Sequence, residues 1–429
     1  MRLNPRHSYS ISRARMHWNA RISARYDLIA DLRWSKCAYI ARPLSARWAG
    51  KFQPILAVSS SRLVVGAGSK IYFYSFGVPN NSSAPPVLYE GSASLLDRLD
   101  CPRNITALTF IEDGGLDRSL DIAFQDGSIE RIYLSTTPTI TTALTITRHK
   151  LLPMAKNDFA ESLCSQSEII LALSSTGQAR LSTLSGSLTS TLDLNARSWT
   201  SHLCISASTP YAAFGTASKT PLTVHPILDG GHLRSQPIAI LHTVTSSQTD
   251  LIPFEGLSSS AVYGLSQGPL NSPWGTSPQI LVSGWYDGQV RIYDLRSSPS
   301  FSAHRRPLSS DNPSNCSASV AVHRPVLSLV DRWSYEPIYS VASGGGSAAY
   351  VAAGTARHSV VSFWDIRQPT QGWSVHAPGN DSSPVYSIVM ESSRFFGVTQ
   401  SRPFVYDFVS RLSRPPENRI CLMRIPLLQ

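Results

Sequence analysis

The feature that most constrains this chain is a hairpin written into residues 279–297, QILVSGWYDGQVRIYDLRS. Ile280 and Val282 occupy alternate positions before a turn, and Val290 and Ile292 do the same after it. That period of two belongs to a strand with one buried face. Between the runs lies Tyr286-Asp287-Gly288-Gln289. Asp-Gly at such a place marks a tight hairpin, because glycine accepts the positive φ that the turn demands. Similar clusters recur along the chain, at 54–76, 105–134, 163–184, 202–227, 261–295, 326–366 and 385–408. In the second, LDIAFQDGSIERIYL repeats the Asp-Gly turn at Asp126-Gly127. A lone small sheet cannot bury both of its faces. Seven of them must therefore shield one another.

The second strand of the opening hairpin ends in Tyr293-Asp294-Leu295-Arg296, and residues 359–367, SVVSFWDIR, carry Trp364-Asp365 at the corresponding place. These endings resemble the closing dipeptide of WD40 repeats. The resemblance implies an all-β, seven-bladed WD40-type β-propeller, its blades four-stranded antiparallel sheets around a central channel. Residues 1–51 are then a basic, partly helical N-terminal extension, and 52–426 the propeller. Split seven ways, that region gives about 54 residues per blade against roughly 40–45 for a compact repeat. The surplus falls in stretches rich in Ser, Pro and Gly at 79–86, 264–278 and 297–319, which read as exposed insertions. Outer strands are expected at 87–90, 140–147, 187–194, 238–242 and 373–376. The ring also needs a strand to close its seam, because an unpaired edge invites aggregation. Residues 420–425 and a segment near 38–44 are the two candidates.

Composition agrees with a turn-rich folded protein: 42% hydrophobic residues, 26 Gly and 29 Pro in 429 residues. No apolar run reaches the 18–20 residues that a membrane-spanning helix needs. The six cysteines, Cys37, Cys101, Cys164, Cys204, Cys316 and Cys421, include no C-x-x-C pair. That pattern suits buried, reduced thiols in a cytoplasmic or nuclear protein rather than a zinc ribbon or a disulfide framework. The net charge of +10 is concentrated at the start: residues 1–50 hold ten Lys and Arg against Asp27 and Asp31. The propeller itself is nearly neutral, so contact with nucleic acid is expected only through residues 1–47.

Within that basic segment, Trp18, Ile22, Tyr26, Ile29 and Leu32 form a stripe that predicts a helix over 16–41. Its Arg-rich, Ser-rich and acid-poor character also fits a mitochondrial transit peptide. The segment Arg42-Pro43-Leu44-Ser45-Ala46-Arg47-Trp48, followed by LVVGAGSKIYFYSF, resembles the linker and first blade of F-box/WD-repeat proteins. In that family an F-box recruits the rest of a ubiquitin ligase and the propeller holds the substrate. The Leu-Pro-x-Glu opening of an F-box does not occur in residues 1–50.

In WD40 blades a turn Asp, a strand Ser or Thr, a loop His and the strand Trp form a buried hydrogen-bond network. The resemblance puts Ser283 and Asp287 in two of these roles, with Tyr293 in place of Trp and Asp294 after it. In the next blade it points to His323, Thr355, Trp364 and Asp365, with Arg357-His358 where the turn Asp is expected. These residues are structural in this reading, and no catalytic Asp–His–Ser group is implied. Gly264-Leu265-Ser266-Gln267-Gly268 fits G-x-S-x-G, but Pro269, Pro273 and Pro278 follow where the hydrolase elbow requires a helix. Gly66-Ala67-Gly68-Ser69-Lys70 lacks the spacing of a phosphate loop. No H-x-x-x-H pair occurs, and nothing points to a metal or a cofactor.

The expected function is therefore that of a non-catalytic scaffold for protein partners, as in the substrate-recognition subunit of an SCF-type ubiquitin ligase. An RNA- or ribosome-associated scaffold is the alternative. Trp285 and Tyr286, beside the turn Asp, are the expected partner-binding aromatics on the propeller rim. Arg357 and His358 are expected to face the same mouth.

Overall fold

A computed structural model describes residues 18–76, 87–96, 103–134, 146–243, 251–253, 258–304, 320–379, 381–391 and 393–408. Five of its sheets are separate and four-stranded. Their strands lie within 55–94, 105–150, 160–193 and 338–376, and within 385–407 together with Ile40–Pro43. In these five sheets every pairing is antiparallel, and successive strands are joined as hairpins except where Ile40–Pro43 joins its sheet from the N-terminal side.

The stretch 198–330 forms one twelve-stranded sheet. Two four-stranded runs lie inside it. One comprises Ser198–Cys204, Tyr211–Ser218, Leu222–Leu228 and Ala239–Leu241, and the other Ser260–Gln267, Ile280–Trp285, Gln289–Asp294 and Leu327–Val330. Only the short bridge Ala217↔Ala261 and Ser218↔Ser260 joins them. Inner strands touch their neighbours in succession, and Ile55–Val58 meets both Ile105–Phe110 and Val385–Glu391. The circle is thus closed, and the architecture is an all-β propeller with a short N-terminal helix.

Apolar clusters fill the spaces between neighbouring sheets. Val64, Phe73, Ile122 and Phe124 belong to one, and Leu63, Tyr74, Phe396 and Val405 to another that spans the seam. Alternation explains this: each strand sends successive side chains to opposite faces, and both faces are covered by the next sheet.

The seam is closed from the N-terminal side. Ile40–Pro43 pairs with Pro403–Asp407, from Ile40↔Asp407 to Pro43↔Phe404. The proposed boundary at residue 51 therefore does not separate extension from propeller. The other candidate, 420–425, lies outside the described residues. Four expected outer strands appear as Val87–Ser94, Leu188–Asp193, Ala239–Leu241 and Gly372–His376. The fifth is seen as Ile146–Lys150, since 135–145 are not described.

One grouping is corrected. Leu327–Val330 was expected to open the 326–366 cluster, yet it pairs with Gln289–Asp294 as the fourth strand of the preceding sheet. Ile338–Gly344 is the inner strand of the next. The intervening insertion crosses to the neighbouring sheet, where Val320–His323 pairs in parallel with Ala239–Leu241. Periodicity finds strands but does not assign a detached one to its sheet.

The helix α1 spans Ala20–Ser35 and is capped by Asn19, whose side chain accepts from the Ile22 N–H at 2.9 Å. Its buried face is Tyr26, Ala30 and Trp34, one residue every turn. Leu32, expected on that face, is exposed. Trp34 sets the rotation: it stacks on Phe408 at 3.7 Å and fills the space beside Gly345. A Cβ on Gly345 would lie 2.9 Å from the indole, and its φ of +66° disfavours a side chain as well. The Tyr26 hydroxyl bonds the Ser393 hydroxyl. Gly345 and Ser393 are in the turns that follow two inner strands, so α1 lies on the end of the ring where those strands finish.

Candidate protein-interaction site

The inner strands surround a cavity of about 800 Å³. At the mouth where these strands begin, the turns between second and third strands fold back on them. Gln125 N–H donates to Asn104 O, Ala217 N–H to Arg197 O, Tyr286 N–H to Ala261 O and Ala356 N–H to Pro337 O. The Asp-Gly turns and their equivalents therefore rim this mouth, opposite α1.

Six inner strands carry the same irregularity near their start. The register skips one residue at Thr106, Glu161, Trp199, Tyr263, Tyr339 and Tyr386. A bulge of this kind leaves a residue unpaired and re-aims its side chain. All six line the cavity. The last four form a continuous arc: Trp199 meets Tyr263 edge-on at 5.1 Å, Tyr263 meets Tyr339 at 5.5 Å, and Tyr339 meets Tyr386 at 6.1 Å. Arg197 lies 4.1 Å over the Trp199 ring and pairs with Glu161 at 3.1 Å. Burial raises the Tyr263 phenol above its ordinary range, and neighbouring Tyr339 and Tyr286 add to this. Tyr386 is raised by burial and by Tyr339. Burial also raises the Glu161 carboxyl, although Arg197 opposes it. The Tyr263 and Tyr386 phenols thus stay neutral donors at any ordinary pH, and the arc is a half-buried aromatic wall with polar edges.

Of the rim residues expected from sequence, Tyr286 is 59% exposed and touches Tyr263 at 6.3 Å. Trp285 is corrected: it is fully buried in the cluster between the two halves of the joined sheet. Its indole N–H donates to the Ser283 hydroxyl at 2.7 Å, and the Arg291 guanidinium covers its ring at 4.7 Å. Alternation puts Trp285 and Tyr286 on opposite sides, so both cannot face solvent. Arg357 and His358 do lie at this mouth and are exposed; Glu336 accepts from the Arg357 N–H and bonds the His358 ring.

The expected network is rearranged. Ser283 bonds Trp285 and the Arg291 carbonyl, whereas Asp287 turns outward to pair with Arg291. Asp294 and Asp365 each bind an arginine two residues on, Arg296 and Arg367. For Asp294 burial raises the carboxyl, but the bonds from Arg296 outweigh it and the net shift is downward. His323 does not serve the later sheet: it sits on the insertion strand, 3.4 Å from the Ser297 hydroxyl. Thr355 bonds the Arg357 and Val360 carbonyls inside its own turn. Trp364 is buried, and the buried carboxylate beside its sheet is Asp331, which accepts from Ser362 at 2.7 Å and from Ser374.

Ser266 lies within the strand Ser260–Gln267, so the G-x-S-x-G match has no strand-to-helix elbow. Among the described residues no group of three or more His, Cys, Asp and Glu is placed to hold a metal, and no helix is long and apolar enough to cross a membrane.

No family model matches this sequence, and no curated protein does. Among solved structures, the WD40 β-propeller domain of Doa1 aligns over 86% of this chain and 97% of its own, at 11% identity and a TM-score of 0.50. The computationally designed Ika8 protein aligns over 85% of this chain and 98% of its own, at 16% identity and a TM-score of 0.48. The Doa1 likeness is one of fold, that of a WD40 β-propeller.

Proposed function

We propose that this chain is a non-catalytic protein-interaction scaffold, a ring of seven blades that holds a partner at its aromatic mouth. Two features support the count. Six apolar clusters are each shared by two neighbouring sheets, and a seventh by the two halves of the joined sheet. The joined sheet also divides into two four-stranded runs at the short 217–218/260–261 bridge.

The observation that carries the functional reading is the repeated bulge. A strand gains nothing in pairing from an extra residue, yet six inner strands have one, and four of the six present Trp or Tyr to a single arc. Tyr and Trp are the usual anchors of protein interfaces, because they bury large area at low entropic cost and carry a polar edge. The arc stands on strands held at both ends, so binding needs no reordering of the ring.

The test is quantitative capture of partners by the wild type and by the double variant Tyr263→Ala/Tyr339→Ala. The reading expects one or more partners to be lost while circular dichroism and the melting temperature hold. It fails if the partner set is unchanged.

A finer reading, substrate recognition within an SCF-type ubiquitin ligase, rests on the resemblance of the 42–48 linker; co-purification of ligase components tests it. The RNA-associated alternative draws on exposed Arg21 and Arg25 of α1. Deleting 1–47 would also remove the closing strand, so Arg21→Glu/Arg25→Glu is the cleaner test. A lower affinity for RNA with a shallower salt dependence would favour that alternative.

A further inference from the structure

Among the described residues, the outer face of α1 is bare. Tyr26, Ala30 and Trp34 turn inward, whereas Leu28 and Leu32, one turn apart on the opposite face, are 70% and 50% exposed. Arg21 and Arg25 continue that face toward the start of the helix and are exposed as well. The apolar part is thus confined to the half of α1 that ends at Trp34. Single exposed leucines are ordinary on a protein surface, but two on one helix face form an apolar stripe without a partner.

The chain itself carries a segment that fits this stripe. Phe408, the last described residue, stacks on Trp34 at 3.7 Å, so the C-terminal segment departs from beside α1. Leu28 is six residues from Trp34, about 9 Å along the axis, and the helix is about 10 Å across. Residues 409–419 reach up to about 36 Å when extended, ample to pass around it. They lead into ICLMRIPLL at 420–428, where only Arg424 and Pro426 interrupt apolar residues, and no other stretch outside the described residues is as apolar. The seam does not take this segment. Pro403–Asp407 is already paired with Arg394–Thr399 on one side and with Ile40–Pro43 on the other. Packing 420–428 on Leu28 and Leu32 removes both apolar surfaces from water, at the modest entropic cost of closing a short loop.

We propose that residues 420–428 dock on the outer face of α1, over Leu28 and Leu32, and clasp the C-terminal segment to the helix that precedes the closing strand. A second copy of this chain offers the same apolar segment, but the chain's own copy is tethered beside the helix at an effective concentration in the millimolar range. The clasp is independent of partner binding at the mouth, which lies at the opposite end of the ring.

Limited trypsin digestion of the full chain, read by mass spectrometry at low conversion, tests this. Arg424 lies within the docking segment and Arg411 ahead of it. Cleavage follows the population of the open form, so the cut after Arg424 is expected to be about tenfold slower than the cut after Arg411. In Leu28→Glu/Leu32→Glu the two rates should come within about twofold of each other. Circular dichroism should not change, because both leucines are exposed. Leu422→Glu/Leu427→Glu should have the same effect, and combining the two pairs should add nothing further. Equal rates in the unaltered chain, protection that survives Leu28→Glu/Leu32→Glu, or additive effects of the two pairs would overturn the proposal. Protection that grows with protein concentration would overturn it in favour of a second copy.

Discussion

The two ends of the ring are built on opposite principles. At the end covered by α1, aromatic side chains are consumed by packing: Trp34 is fully buried, between Phe408, Phe363 and Tyr350. At the other end aromatic side chains are lifted out of the packing by bulges and left half-exposed or exposed. The same residue types thus serve cohesion on one face and line an open mouth on the other. What separates them is the backbone beneath them: a glycine turn that admits an indole, or an extra strand residue that turns one outward. An aromatic residue in a propeller sequence is therefore uninformative until its register is known.

That contrast can be broken by substitution, and the largest effect belongs to the packed end. Trp34→Ala should cost about 3–5 kcal/mol of unfolding free energy, read by urea denaturation, because it empties the space between the last two sheets and loosens the closing strand. Partner affinity measured under folding conditions should not change. If Trp34→Ala left stability intact, α1 would be an appendage rather than part of the closure.

Next comes the mouth itself. Tyr263→Ala/Tyr339→Ala should weaken partner binding by about 2 kcal/mol or more in calorimetric titration, yet shift unfolding by less than about 1 kcal/mol. A large loss of stability with little change in affinity would make the arc another packing feature and erase the contrast.

Ser283→Ala sharpens the comparison inside a single hairpin. It leaves the buried Trp285 N–H without its acceptor, so a loss of about 1–3 kcal/mol is expected in thermal unfolding. Tyr286→Ala, one residue past Trp285, should leave stability within about 0.5 kcal/mol.

The smallest effect is one of pH, and its imidazole part lies in the joined sheet. Burial lowers the pKa of His225 and His242, only partly offset by bonds to the Arg234 and Ser258 carbonyls. In the unfolded chain these rings take up protons near pH 6.5, while in the folded ring they remain neutral to lower pH. The unfolded state then binds more protons, so stability present at neutral pH is lost as pH falls below about 6.5 toward the folded values. Denaturation between pH 7.5 and 5.5 should show the slope, and His225→Gln should flatten it. A chain equally stable across that range would contradict the assignment of neutral, buried imidazoles.

Much of the architecture was legible in the chain. Alternation located the hairpins, Asp126-Gly127 and Asp287-Gly288 located their turns, and the ending Trp364-Asp365 pointed to the propeller. The segment near 38–44 was a correct candidate for the seam. The site was less legible. Tyr286, Arg357 and His358 were placed at the mouth, but the arc was missed. Its signal is present in hindsight as an aromatic between a small or apolar residue and a small one, in Ser-Trp-Thr, Val-Tyr-Gly, Ile-Tyr-Ser and Val-Tyr-Ser. It reads as ordinary strand until the bulge is known, because one extra residue reverses which side faces the channel.

Sequence by itself determined that these residues form short antiparallel strands that must cover one another, since period-two burial and turn chemistry are local properties. Only the tertiary structure decided which sheet received Leu327–Val330, where Trp34 lodged, and which aromatics reached the channel. Those outcomes depend on contacts between segments tens to hundreds of residues apart, and on single-residue shifts of register that leave the local pattern unchanged.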